Sequence, residues 1–255
     1  MIRFASLGSG SRGNALVVET GGTRVLVDCG FSVRETAARL GRIGLIAEGL
    51  DAVLVTHEHG DHIGGVCRLA TRHRLPVYLT AGTLAQAPAA LQASPHINVI
   101  TAGSAFAIGG LQVQPYSVPH DAGDPVQYVF SDGAARLGVL TDAGHVTDAM
   151  LTMLDGLQAL VLECNHDVDM LRDGPYPHFL KRRVGGEHGH LANAQAADAL
   201  ARMDRSHLRH IVAAHLSEKN NTPAHARAAL ADALGCHADW VGVACQQAGF
   251  GWREI

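Results

Sequence analysis

The chain has 255 residues, 47% of them hydrophobic, and a formal charge of −4. That length allows one large domain or two small ones, with enough apolar content for a sizeable core. The mild charge excludes a global electrostatic pull toward nucleic acid or a membrane surface, and no apolar run is long enough for a membrane span. The five cysteines form no Cys-x-x-Cys pair and no disulfide framework. Met1-Ile2-Arg3-Phe4 runs directly into a Gly/Ser turn with no signal-like segment before it, so a cytoplasmic protein is expected.

Strand-like and helix-like segments alternate along the chain. Ala15–Val18 and Thr23–Val27 flank Gly21-Gly22, a hairpin signal. Ser32 with Glu35 predicts a capping box that opens a helix through Leu40, ended by Gly41. Ala52–Val55 predicts a strand, followed by a helix from about Ile63 to His73 and a strand over Pro76–Leu79. Thr80 is expected to cap a helix running to about Gln92. Asn98–Ile100, Phe106–Ile108, Leu111–Val118, Val126–Phe130 and Arg136–Leu140 are short β runs separated by Gly or Asp-Gly. Helices are predicted over Val146–Leu154 and Ala194–Met203, the second capped by Asn193. Strands are predicted over Ala159–Leu162, Ile211–Ala214 and Val241–Ala244. Thr222-Pro223 opens a further helix, closed by Gly235. With no low-complexity linker, residues 1–255 are expected to form one α/β domain of sheets covered by helices.

Chemistry concentrates where strands end. Thr56-His57-Glu58-His59-Gly60-Asp61-His62 follows the Ala52–Val55 run and places three imidazoles and a carboxylate in six residues. A lone histidine is usually a surface or capping residue, but one tetrahedral ion could not use all four donors of His-x-His-x-Asp-His and still leave room for a ligand from elsewhere, which suggests two ions. Glu58, between two of them, points across the loop and is left out of the ligand set. His120, Asp142 and His215 each follow the end of another strand. Taken singly, His120 and His215 read equally well as loop histidines, and Asp142 or His145 as a cap for the helix near Val146. Beside the His57–His62 cluster, His120, Asp142 and His215 become candidate ligands, because ligand sites in α/β folds gather at the carboxyl ends of strands.

These residues resemble the motifs of the metallo-β-lactamase superfamily, with Asp28 similar to an aspartate that buttresses the metal loop. The resemblance implies an αββα sandwich of two mixed sheets with helices on the outer faces. It also implies a dinuclear site: His57, His59 and His120 on one ion, Asp61, His62 and His215 on the other, and Asp142 between them. Ser6–Asn14, Glu163–Asp167, Gly189–Asn193 and His215–Asn221 further resemble the YycJ (WalJ) group, which is similar to the phosphodiesterase PhnP and to RNase Z. Phosphodiester hydrolysis is implied, with exonuclease action on DNA and a metal-bridging hydroxide as nucleophile. Asp61 would orient that hydroxide and His190 would protonate the leaving oxygen. Zn2+, Mn2+ and Fe2+ all suit such donors.

Ser9 and Asn14, in the Gly/Ser loop, are candidate phosphate contacts, although the same loop reads as a tight turn. Asn165 and His166 are further candidates, and His166 reads equally as the start of a short helix. Arg172, Lys181, Arg182 and Arg183 form a basic stretch, with Tyr176 and Phe179 nearby. The expected partner is nucleic acid or a small phosphodiester, with no membrane; a homo-oligomer is compatible with this reading. The alternative on the same scaffold is a thioester or lactone hydrolase of the glyoxalase II type.

Overall fold

The computed structural model describes residues 1–255, and its strands sort into two seven-stranded sheets. In chain order the strands are β1 (Ile2–Gly8), β2 (Ala15–Thr20), β3 (Thr23–Val27), β4 (Ala52–Leu54), β5 (Val77–Thr80), β6 (Ile97–Ile100) and β7 (Phe106–Ile108). They continue as β8 (Leu111–Ser117), β9 (Val126–Ser131), β10 (Arg136–Leu140), β11 (Ala159–Glu163), β12 (His210–Ala214), β13 (Gly242–Val243) and β14 (Phe250–Glu254). The helices are α1 (Val33–Arg42), α2 (Gly60–Ile63), α3 (Val66–His73), α4 (Ala81–Gln86) and α5 (Ala89–Gln92). After them come α6 (Asp148–Leu154), α7 (Val168–Asp173), α8 (His178–Val184), α9 (Asn193–Arg202) and α10 (Pro223–Leu234). No helix is long and apolar enough to cross a membrane.

The first sheet runs β14-β1-β2-β3-β4-β5-β6 and the second β13-β12-β11-β10-β9-β8-β7. Alternation along the strands gives each sheet two apolar faces. Ile2, Phe4, Val25 and Leu54 of the first sheet meet Val113, Tyr128, Phe130 and Val212 of the second in a shared core. The opposite faces pack on helices: Leu26, Val53 and Val77 against Leu40 and Leu69, and Leu140, Leu160 and Leu162 against Met150, Leu200 and Leu230. The expected αββα layering follows directly from these three apolar layers.

Strand direction then decides where the polar loops meet. β3 and β4 are parallel, with Val27 opposite Leu54. In the second sheet β10, β11 and β12 are parallel, with Leu140 opposite Leu162 and Leu162 opposite Ala213. β8 is antiparallel to β9, and β9 to β10, so β8 runs the same way as β10. The carboxyl ends carrying His120, Asp142, Glu163 and His215 therefore share one edge.

Several element boundaries differ from the sequence-based expectations. The helix opened by Ser32 continues through Gly41 to Arg42, and Glu35 bonds Arg39 instead of reaching back to the cap. The helix after Thr80 is broken at Ala87, whose extended ψ of 158° is what a following proline favours. The helix after His62 breaks at Gly64-Gly65, where Gly65 N donates to Cys29 O and an added Cβ would lie 1.9 Å from Phe31 O. Thr147, not Asp142 or His145, caps α6. Asn193 is the first residue of α9, beyond the Ala192 cap position, and its side chain bonds Asn221. Strand β14, which closes the first sheet beside β1, had no sequence signal above its neighbours. Thr222, Pro223 and Gly235 bound α10 as expected.

Candidate metal centre and cleft

Three strand ends bend sharply to turn their polar residues inward. Asp28, Asp142 and His215 follow β3, β10 and β12 with φ of 60°, 55° and 53°, in the left-handed region that non-glycine residues seldom occupy. Such strain persists only where the surroundings hold it in place, and it clusters at functional sites. Asp28 is nearly fully buried and accepts from Thr56 N (2.8 Å), Thr56 Oγ1 (2.9 Å) and His62 Nδ1 (2.8 Å). One carboxylate thus shapes the whole turn after β4.

The same turn is pinned from the N-terminal loop. Asn14 N donates to Asp61 O, Gly30 N to Asn14 O, and Cys29 N to His62 O. Gly30 is required by close approach: an added Cβ would stand 1.9 Å from Asp61 O. Gly30→Ala is expected to cost about 1–3 kcal/mol or more from overpacking and to shift the Asp61 peptide. Thermal unfolding and a divalent-metal titration would both register it; a variant matching the parent in both would refute this account of Gly30.

The imidazoles are aimed by their outer nitrogens. His57 Nδ1 lies 3.0 Å from Thr56 Oγ1, His62 Nδ1 2.8 Å from Asp28, His120 Nδ1 3.0 Å from Gly189 O, and His215 Nδ1 3.1 Å from Glu163 Oε1. Each inner nitrogen is thereby directed into a common space, the arrangement by which metal-ligating histidines are oriented. His57 Nε2 stands 3.0 Å from His59 Nδ1, and His120 Nε2 stands 3.3 Å from the same atom. Asp61 Oδ2 is 3.4 Å from His62 Nε2 and 3.5 Å from His215 Nε2. Asp142 lies between the two groups, its Oδ2 3.4 Å from His62 Nε2 and its Oδ1 3.4 Å from His215 Nδ1.

A divalent ion fits these donors on the evidence of the orphaned atoms. Asp142 Oδ2 and His215 Nε2 are buried and have no hydrogen-bond partner, a costly state for polar atoms unless another species binds them. His57, His59 and His120 offer ligand atoms within 4.8 Å of one another, as do Asp61, His62 and His215. The electrostatics set by protein groups alone keep Asp142 ionised and His57 neutral, the forms that bind metal, while His215 holds a proton that an ion would have to displace. Burial raises the Asp142 carboxyl, but His215 and His62 outweigh it and hold it well below the usual carboxylate range. Burial and the neighbouring His62 push His57 well down, leaving it neutral. At His215 burial acts downward too, yet Asp142, Asp61 and Glu163 outweigh it and raise the ring to about 10.

Beside this cluster opens a cleft of about 400 Å³ lined by His59, Asp61, Asp121, Asp142, His190 and His215, with Ser11 and residues of the α7–α8 segment. His190 Nδ1 donates to Glu163 Oε1 at 2.8 Å, which leaves Nε2 for the cleft. Burial lowers His190, but the Glu163 carboxylate outweighs it and the ring is raised.

The other predicted contacts lie elsewhere. Ser9 and Asn14 are buried behind the cluster: Ser9 Oγ accepts from His215 N, and Asn14 Nδ2 reaches Asp61 Oδ2 (3.2 Å) and His62 Nε2 (3.1 Å). Asn165 Nδ2 donates to His215 O, and His166 is buried near Gly185; neither lines the cleft. Glu58 accepts from Gly123 N, and His145 Nδ1 donates to Glu187 O. Glu163 carries more of the site than the sequence reading assigned it. Fully buried at the end of β11, it also accepts from Ala143 N and Leu191 N. The strand-end rule that singled out Asp142 and His215 applies to it equally.

The fold and the converging donors define a metal-binding protein of the metallo-β-lactamase type. Residues 23–215 match the family described as the beta-lactamase superfamily domain, and the chain belongs to that superfamily, within the YycJ/WalJ group. It is 37% identical to the exodeoxyribonuclease YycJ of Bacillus anthracis over 91% of this chain and 89% of the relative. It is 34% identical to the exodeoxyribonuclease WalJ of Streptococcus pneumoniae, over 86% of this chain and 83% of the relative. The crystal structure of the metallo-beta-lactamase fold protein YhfI from Bacillus subtilis superposes over 100% of both chains with a TM-score of 0.75 at 18% identity.

Proposed function

We propose that this chain is a metal-dependent phosphodiester hydrolase that acts as an exonuclease on DNA. The observation that carries the reading is His190, seated on buried Glu163 with its free nitrogen in the cleft beside Asp61, Asp142 and His215. The substrate class is supported by the exodeoxyribonuclease relatives, which align with most of the chain.

His57, His59 and His120 would hold one divalent ion, Asp61, His62 and His215 a second, and Asp142 would lie between them. Zn2+, Mn2+ and Fe2+ are all compatible with these nitrogen and oxygen donors. When bound, such ions supply Lewis acidity, water of lowered pKa and neutralisation of the charge that gathers on phosphorus. The protein supplies the rest. Asp61 bounds the cleft and orients the attacking water, and Asn14 fixes Asp61 from behind. Glu163 keeps the His190 proton on Nδ1 and stabilises the imidazolium, so Nε2 can deliver a proton to the departing oxygen. A nucleotide alkoxide needs that proton, whereas a thiolate leaves without one. His190 thus favours phosphodiester over thioester cleavage.

The test offers bis(p-nitrophenyl) phosphate, linear double-stranded DNA and S-lactoylglutathione in parallel to protein loaded with Mn2+ or Zn2+. Degradation of DNA from its ends is the expected result. Thioester turnover with intact DNA would overturn the reading in favour of a glyoxalase II type hydrolase.

Metal uptake should also depend on pH in a defined direction. Ligating imidazoles must be deprotonated, so protons compete with the ion. With His215 raised to about 10 and His62 also raised, where Asp142 and Asp28 outweigh burial, binding near neutral pH must expel protons. Affinity is therefore expected to rise with pH from about 5 to 8. Calorimetric titration of chelator-stripped protein with Zn2+ should give enthalpies that differ between buffers of different ionisation heat. Identical enthalpies would show that no proton leaves.

A further inference from the structure

The cleft has one wall that the metal cluster does not explain. Tyr176 precedes α8, and Leu180, Arg183 and Val184 lie three and four positions apart along it, so they share one helix face; all four line the cleft. No residue of helix α8 is fully buried, and Leu180 and Val184 are only half-buried, so the main core does not claim that face.

Arg183 is the only lysine or arginine lining the cleft, which is also lined by Asp61, Asp121 and Asp142. Its Nε donates to Asp121 Oδ2 at 2.6 Å, while its two terminal nitrogens make no hydrogen bond. The other Asp121 oxygen is 3.4 Å from His120 Nε2 and 3.8 Å from His59 Nε2. The guanidinium is thus one carboxylate away from the candidate ligand cluster, with its planar fork free to take an anion in two-point fashion.

We infer that this wall is a nucleotide subsite for an unpaired strand end, with Arg183 on the phosphate and Tyr176, Leu180 and Val184 against the sugar and base. The inference rests on the phosphodiesterase reading. Size suits one nucleotide: about 400 Å³ is the space of one small organic ligand, and a base laid against Tyr176, Leu180 and Val184 has left its pairing partner. Beyond the cleft, Phe179 is 68% exposed and Arg182, three residues on, makes no ion pair. An aromatic face beside a free cation suits the next nucleotide of a single strand, through stacking and charge. Arg172 does not extend this path, because Asp169 and Asp173 already hold its guanidinium.

The test uses the full chain loaded with Mn2+. Fluorescence anisotropy would follow binding of a single-stranded oligodeoxynucleotide with phosphorothioate linkages at its ends. Arg183→Gln is expected to weaken binding at least tenfold and to flatten the slope of log affinity against log salt by about 0.7, the value of one phosphate contact on a single strand. Phe179→Ala with Arg182→Gln is expected to weaken a 12-nucleotide strand at least fivefold and a dinucleotide far less. The parent should bind a single strand more tightly than a blunt duplex of the same length.

Affinity and salt slope unchanged in Arg183→Gln would overturn the subsite, as would preference for the blunt duplex. Equal proportional losses on the oligonucleotide and on bis(p-nitrophenyl) phosphate turnover would also overturn it, because they mark damage to the metal cluster through Asp121. A parent that cleaves neither phosphodiester refutes the proposed function itself, and the subsite falls with it. A parent that cleaves both, with variants that bind like it, refutes the subsite alone.

Discussion

His190→Ala is expected to lower kcat for cleavage of a DNA end by roughly 10²–10⁴, the usual contribution of a positioned acid. KM and bound metal should stay near the parent values, because His190 is not among the residues assigned to the ions. The loss should shrink sharply with bis(p-nitrophenyl) phosphate, whose leaving group departs as a stabilised anion and needs no proton. That split between substrates separates proton delivery from mere support of the cleft. Glu163→Gln should give a smaller loss of the same kind and move the pH profile, since the amide still meets His190 Nδ1 but no longer stabilises its charge. Glu163 Oε1 stands 2.8 Å from His190 Nδ1 and 3.1 Å from His215 Nδ1, so this variant should also loosen metal binding. Equal losses of His190→Ala on both substrates, or a fall in metal content, would remove His190 from the role of acid.

Asp28→Asn should be the most damaging single change outside the proposed ligands. Asparagine keeps the volume and tolerates the φ of 60° that the turn requires. It replaces one acceptor oxygen with a donor, however, facing either Thr56 N or the pair Thr56 Oγ1 and His62 Nδ1. Breaking a buried pair in this way costs about 3–5 kcal/mol. At about 2–4 °C per kcal/mol for a chain of this size, the melting temperature of metal-stripped protein should fall by about 6–20 °C. Metal affinity should drop by about 10–100-fold, as it does when a partner that orients a ligating histidine is lost. Thermal unfolding and metal titration measure the two effects separately. A melting temperature within 2 °C of the parent would show that the turn after β4 does not depend on this carboxylate.

Much of the site was legible in the chain because its signals are local. A strand ends within a few residues of where its alternation stops, so His57–His62, His120, Asp142 and His215 could be read as strand-end groups. Thr222-Pro223 and Gly235 marked α10 for the same reason, since caps act over a single turn. Other elements failed for want of a local signal. The break at Ala87 came from the restraint of Pro88 on its predecessor, which competed with an otherwise helical run. Strand β14 forms because β1 presents an open edge more than two hundred residues earlier in the chain. Ser9, Asn14 and Asn165 are polar and near the cluster, yet they brace ligands from behind instead of facing the cleft.

Residue types and their spacing were thus sufficient to place a cluster of His and Asp donors at the ends of strands, because both depend on contacts only a few residues apart. Which nitrogen of each histidine faces inward could not be read that way, since it is set by distant oxygens such as Asp28, Gly189 and Glu163. The same holds for the Glu163–His190 pair and for the α8 wall with Arg183. They exist because parallel register brings the ends of β10, β11 and β12 to one edge, and that register is held by hydrogen bonds between segments far apart in the chain.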